Sequence, residues 1–199
     1  MRLLLFTLVL LWGQEKAQTI NILFVGNSLT YTNDLPALVE LEAKRKGVKV
    51  KSKQLSLPNY ALVDHWNDGA LQKLIETGKF QFVVVQQGPS SQDLGREMLF
   101  ESGELISKLC KQKGAKLAYF MVWPSRLYYH TFEKVIANYR YAAKSMDAIL
   151  CPVGEVWKEH FDETGEFSYY GPDGFHPSFR GSQVAASVIV NALLADGKS

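Results

Sequence analysis

Cysteine is nearly absent: Cys110 and Cys151 are the only two in 199 residues, so no disulfide framework can carry the fold. Cys110 falls on the apolar stripe of a predicted helix and Cys151 in a predicted strand, which makes both of them buried free thiols. With four histidines and no Cys/His grouping at zinc-ligand spacing, no metal is expected, and no other cofactor signature is present. An excess of one charge is lacking too. The 22 Lys and Arg and 20 Asp and Glu leave a formal +2, and they cluster only from Lys44 to Lys53, as a helix end running into an edge strand would. That excludes a nucleic-acid surface.

Long apolar runs are also missing. A spanning helix needs about 20 apolar residues, whereas the run from Leu3 to Trp12 is half that and lies between Arg2 and the polar Gln14-Glu15-Lys16. This charge, apolar, polar order is that of an export leader. Residues 1–17 are accordingly expected to be a signal peptide, cleaved after Gly13 or Ala17, with 18–199 as one domain, secreted or periplasmic and without a stable membrane anchor.

What is present is a core. At 47% hydrophobic and 21% charged residues, the chain can bury a single globular interior. Short apolar runs at Ile22–Val25, Phe80–Val85, Leu117–Val122 and Ala148–Val153, with alternation over Val48–Leu57, predict five strands. Between them lie helical spacings: Leu35, Leu38 and Val39 up to Gly47; two short pieces within Leu62–Thr77, interrupted near Gly69; Met98 to Leu109, ended by Gly114; and Phe132 to Met146. A last stripe runs from Val184 to Leu193. This alternation predicts an α/β fold, a three-layer α/β/α sandwich around a mostly parallel five-stranded sheet. In such a sheet the strands' carboxyl ends share one rim, where functional loops gather.

Two rim segments carry chemistry. In FVGNSLT, Ser28 follows an apolar strand, Gly26 permits a sharp turn, and the serine's own N–H can face a developing oxyanion. Near the other end, YYGPDGFHPS sets Asp173 three residues before His176 in a loop, so a carboxylate can orient an imidazole that serves as general base. Serine needs such a base within hydrogen-bond reach to become a nucleophile. Trp66, Trp123, Tyr128, Tyr129, Tyr169 and Tyr170 fall in rim loops, where aromatic faces would suit a sugar ring. His65 is placed to line the same cleft.

Together, Gly26-Asn27-Ser28 early and Asp173-x-x-His176 late resemble the SGNH hydrolases, or GDSL esterases and lipases, in the subgroup with Gly-Asn-Ser-x-Thr rather than Gly-Asp-Ser. The resemblance covers essentially 18–199 and implies a flavodoxin-like fold, no cofactor, and acyl-enzyme chemistry with Ser28 as nucleophile, His176 as base and then acid, and Asp173 as its orienter. It also implies an oxyanion glycine, for which Gly69 is the match. The family's Gly-x-Asn-Asp is replaced by Gly88-Pro89-Ser90-Ser91, so its asparagine donor is gone. Gln86, Gln87 or the Ser90 hydroxyl is left to supply it, and alternation lets only one of the two glutamines reach the site, Gln86 being favoured. The expected substrate is a small-molecule or saccharide ester, a carbohydrate O-acetyl ester first. The alternatives are a lipid or thioester hydrolase and a carbohydrate-binding protein that has lost catalysis. No oligomeric state is implied.

Overall fold

The computed structural model describes residues 19–88 and 90–196; the expected signal peptide lies outside them. Strands β1 (Ile20–Gly26), β2 (Val50–Ser56), β3 (Phe82–Val85), β4 (Lys116–Phe120) and β5 (Ile149–Cys151) form one sheet in the order β2-β1-β3-β4-β5. Every pairing is parallel, so the chain crosses back over a face of the sheet between successive strands. The order is that of the flavodoxin-like doubly wound folds, in which the direction of winding reverses beside β1.

Burial explains the strand compositions. Ile22 to Gly26 and Phe82 to Val85 are buried without interruption, because helices cover both faces of the central strands. Edge strand β2 instead keeps Lys51 and Lys53 in solvent, as an edge that must not recruit another chain does. Glu40 closes that edge further by accepting the Ser52 N–H and hydroxyl, each at 2.6 Å.

Helix α1 (Ser28–Tyr31) is a single turn after β1, and α2 (Leu35–Arg45) follows; α3 (Leu62–Asn67) and α4 (Ala70–Thr77) are the two expected pieces, separated at Gly69. Next come α5 (Asp93–Lys113), α6 (Phe132–Met146), α7 (Val153–Thr164) and α8 (Phe179–Asp196). Helix α2 packs on α8, whereas α5 packs against α3, α4 and α6. Helix α7 was not expected. Its signal, Val153, Trp157 and Phe161 at i, i+4 and i+8 before Gly165, is present in the sequence and all three are buried.

Cys110 and Cys151 are free and buried, as expected, and burial pushes both thiols up to about 12. Among the described residues, no helix is long and apolar enough to cross a membrane.

Candidate active site

The carboxyl ends of β1 and β3 lie level, since Val25 pairs with Val85. Immediately beyond β1, Asn27 caps α1: its Oδ1 accepts the Leu29 N–H at 3.2 Å and its carbonyl accepts those of Thr30 and Tyr31. Ser28 is thereby held as the first residue of a helical turn, with its hydroxyl at the rim.

Gln86 sets the turn from below. Its Oε1 accepts the Asn27 N–H at 2.8 Å and the Thr30 hydroxyl at 3.0 Å. Gly26 makes room for this: a Cβ there would stand 2.2 Å from Gln86 Oε1 and 2.5 Å from Thr30 Oγ1. His65, 1% exposed, donates from Nε2 to the Gly26 carbonyl at 2.8 Å. Burial lowers its pKa, which favours the neutral ring. Thus the sequence pattern Gly-Asn-Ser-x-Thr and the distant Gln86 are parts of one bonded unit.

The late loop meets this turn across 148 positions of sequence, with Ser28 Oγ 2.9 Å from His176 Nε2. His176 Nδ1 lies 2.6 Å from Asp173 Oδ2. The carboxylate accepts a hydrogen bond from Nδ1–H, which leaves Nε2 as the acceptor for the serine hydroxyl. Asp173 Oδ1 also accepts the N–H groups of Phe175 and His176, both at 2.9 Å. First the His176 ring and then the Phe175 N–H hold the Asp173 carboxyl below the ordinary carboxylate range. Trp123 Nε1 donates to the Phe175 carbonyl at 2.9 Å, the Arg126 N–H to that of Gly174 at 2.7 Å, and Asn33 Nδ2 to that of Pro177 at 3.1 Å. The loop is fixed from three directions.

The residues expected to complete the oxyanion site lie elsewhere. Gly69 ends α3 in a left-handed conformation, φ 75°, and its N–H is donated to Trp66, so it is a helix junction. Gln86 is 1% exposed and its carbonyl oxygen is committed to Asn27 and Thr30. Gln87, on the opposite side as alternation requires, accepts the Leu62 N–H at 2.8 Å, while its own backbone brackets the Tyr139 hydroxyl. Ser90 is buried, and its carbonyl accepts from Asn138 Nδ2 at 2.7 Å. None of the four lines the cleft at Ser28. His65 does not line it either, being packed under the turn.

Ser28 opens instead onto a cavity of about 550 Å³. Leu29, Trp123, Pro124, Tyr128 and Phe175 supply its apolar wall, and Asn59, Ser91, Gln92, Ser125 and Thr131 its polar groups. No charged side chain lines it among the described residues. Of the expected rim aromatics, Trp123 and Tyr128 are there. Tyr169 and Tyr170 are buried against Trp157 and Phe161, Tyr129 packs on Phe132 and Phe161, and Trp66 is half-buried outside the cavity.

Asn59 was missed by the sequence reading. It has φ 60° in the turn Leu57-Pro58-Asn59-Tyr60, which the Tyr60 N–H closes on the Leu57 carbonyl at 3.3 Å. Pro second and Asn third are what a turn with a left-handed third residue selects, so the signal was available. Neither the Ser28 nor the Asn59 N–H is used in a hydrogen bond among the described residues.

No family model and no curated protein matches the sequence. Solved structures do match. A candidate SGNH hydrolase from Slackia heliotrinireducens is 24% identical with a TM-score of 0.73, over 88% of this chain and 100% of that one. A lipase/acylhydrolase from Enterococcus faecalis is 15% identical with a TM-score of 0.71, over 89% and 96% of the two chains. A family 3 carbohydrate esterase from Clostridium thermocellum is 14% identical with a TM-score of 0.67, over 91% and 98%. The fold is therefore that of the SGNH hydrolases, the one the two motifs implied.

Proposed function

We propose that the chain is a serine esterase of the Gly-Asn-Ser type that deacylates neutral saccharide esters, acetyl esters first. The observation that carries this reading is the continuous relay Ser28, His176, Asp173, at 2.9 and 2.6 Å, opening onto an uncharged cavity. Ser28 Oγ attacks the ester carbonyl as His176 Nε2 takes its proton, and the Asp173 carboxylate stabilises the resulting imidazolium. The free N–H groups of Ser28 and Asn59 receive the negative oxygen of the tetrahedral intermediate. His176 then returns the proton to the departing alcohol, and the same ring activates the water that releases the acid and regenerates Ser28. No cofactor enters any step.

For the substrate, the Trp123, Tyr128 and Phe175 side chains offer faces for a sugar ring, and Asn59, Gln92 and Ser125 offer uncharged hydrogen-bond partners. Solved proteins with this fold include an acetyl xylan esterase and an acetyl-xylooligosaccharide esterase. The apolar leader supports export, where such polymers are met.

The test compares wild type with Ser28→Ala on a short aryl acetate, then on longer acyl chains and on acetylated neutral oligosaccharides. Turnover that falls at least about a thousandfold in the alanine form supports the reading. Equal turnover by both forms, or an optimum at long acyl chains, would sink it. Sugar binding without turnover would make the chain a binding protein.

A further inference from the structure

The superfamily pattern places an aspartate where this chain has Asn27, and the structure shows what the exchange accomplishes. Asn27 Oδ1 caps Leu29, which an aspartate would do equally well. Its other side-chain atom makes the difference. Asn27 Nδ2 donates to the Tyr60 carbonyl at 3.0 Å, a bond that requires a donor and that a carboxylate cannot form.

Tyr60 closes the turn that carries Asn59. At its other end, the Leu57 N–H donates to the Gly26 carbonyl at 3.1 Å. The turn is thus fastened at both ends to the segment bearing Ser28, at Gly26 and at Asn27. Asn59 stands between the fastenings and lines the cavity with Ser28. The backbone of Asn27 is in turn fixed by Gln86 Oε1 at 2.8 Å.

We propose that Asn27 is a positioning residue whose side-chain amide holds the Leu57–Tyr60 turn in register with Ser28, so that the Asn59 N–H and the Ser28 N–H face one oxyanion. This rests on the esterase reading for its catalytic consequence, but the fastening itself is independent of it. The turn's remaining anchor is the Tyr60 ring, packed on His65 with centroids 5.0 Å apart, whereas Leu57, Pro58 and Asn59 are all exposed. An aspartate at position 27 would bring a carboxylate oxygen against the Tyr60 carbonyl and push the turn away. The superfamily's usual residue should therefore be harmful in this chain.

Two variants separate the causes. Asn27→Asp keeps the cap, loses the donor and adds a charge. Asn27→Ser keeps a capping oxygen, is too short to reach Tyr60, and adds no charge. Each would be compared with wild type for kcat and KM on an aryl acetate, for the rate at which a fluorophosphonate labels Ser28, and for amide hydrogen exchange over residues 57–61. Because removing one oxyanion donor typically costs about 10²- to 10³-fold in kcat, displacing one should lower kcat about 10- to 100-fold in both variants, with KM within about twofold. Labelling should slow in parallel, and exchange should quicken over 57–61 while the central strands stay protected.

Wild-type kcat in Asn27→Ser would overturn the proposal, since a loss confined to Asn27→Asp is an effect of charge. Unchanged exchange over 57–61 in both variants would overturn it as well. If the wild type hydrolyses no ester, the esterase reading fails by itself, and exchange with labelling still decides whether Asn27 holds the turn and whether Ser28 depends on it.

Discussion

Replacing Gly26 by alanine adds one methyl group and tests how the whole serine turn is built. The new Cβ would lie 2.2 Å from Gln86 Oε1, 2.8 Å from its Cδ and 2.5 Å from Thr30 Oγ1, all closer than real contacts allow. Gly26 is not in a left-handed conformation, so the backbone itself tolerates alanine and the cost is purely steric. Gln86 is buried and cannot swing into solvent. Overpacking of this kind costs about 1–3 kcal/mol. Displacing Gln86 also weakens its bonds to Asn27 and Thr30, at about 0.5–1.5 kcal/mol each. The sum, about 2–6 kcal/mol, corresponds to a fall in Tm of roughly 4–24 °C in a chain of this size. Truncating the obstacle should relieve the clash. In a double-mutant cycle by thermal or urea denaturation, Gly26→Ala with Gln86→Ala should cost less than the two single changes added together, by about 1–3 kcal/mol. Additivity to within about 0.5 kcal/mol would show that the two side chains do not compete for one space, and the account of the turn would fail.

Asp173, held below the ordinary carboxylate range first by the His176 ring and then by the Phe175 N–H, contributes stability that is fully present above its unfolded pKa and is lost as pH drops through its lower folded value. Asp173→Asn should therefore remove part of the acid-side fall in a pH–Tm profile, and an unchanged profile would contradict this assignment. Cys110 and Cys151, raised to about 12 by burial, should resist a thiol-specific disulfide reagent in the native protein and react only on unfolding; rapid modification would refute their burial. Tyr139→Phe should cost about 1–3 kcal/mol by denaturation, because it strands the buried Gln87 N–H and carbonyl, and an unchanged midpoint would show that this bracket is not needed.

The strand and helix periods and the Asp173-His176 pair could be read in the sequence because each is local, whereas Ser28 stood out only when its Gly-Asn-Ser turn was taken together with that distant pair, from which the structure places it 2.9 Å away. A buried strand declares itself by an apolar run, and a loop carboxylate three residues before a histidine needs no distant partner to be noticed. The destinations of Gln86 and Gln87 could not be read so. Alternation separates the two side chains, but only the absent Cβ of Gly26 and the hydroxyl of Tyr139, each more than 50 residues away, decide that both are buried supports. Gly69 was chosen by residue type. The cleft position belongs to Asn59, the non-glycine residue type that most readily adopts positive φ, in a Pro-Asn turn directly after β2.

His176 arrives from a loop joined to α8, while Ser28 follows β1, so the contact between them spans 148 positions. A nascent or truncated chain that has assembled β1 to β5 would own the serine turn and still lack His176. Under the proposed function, reactivity at Ser28 toward a phosphonate would then switch on only when the last helix docks. Such a label would count finished molecules, and could follow the final step of folding inside a cell without any antibody or tag.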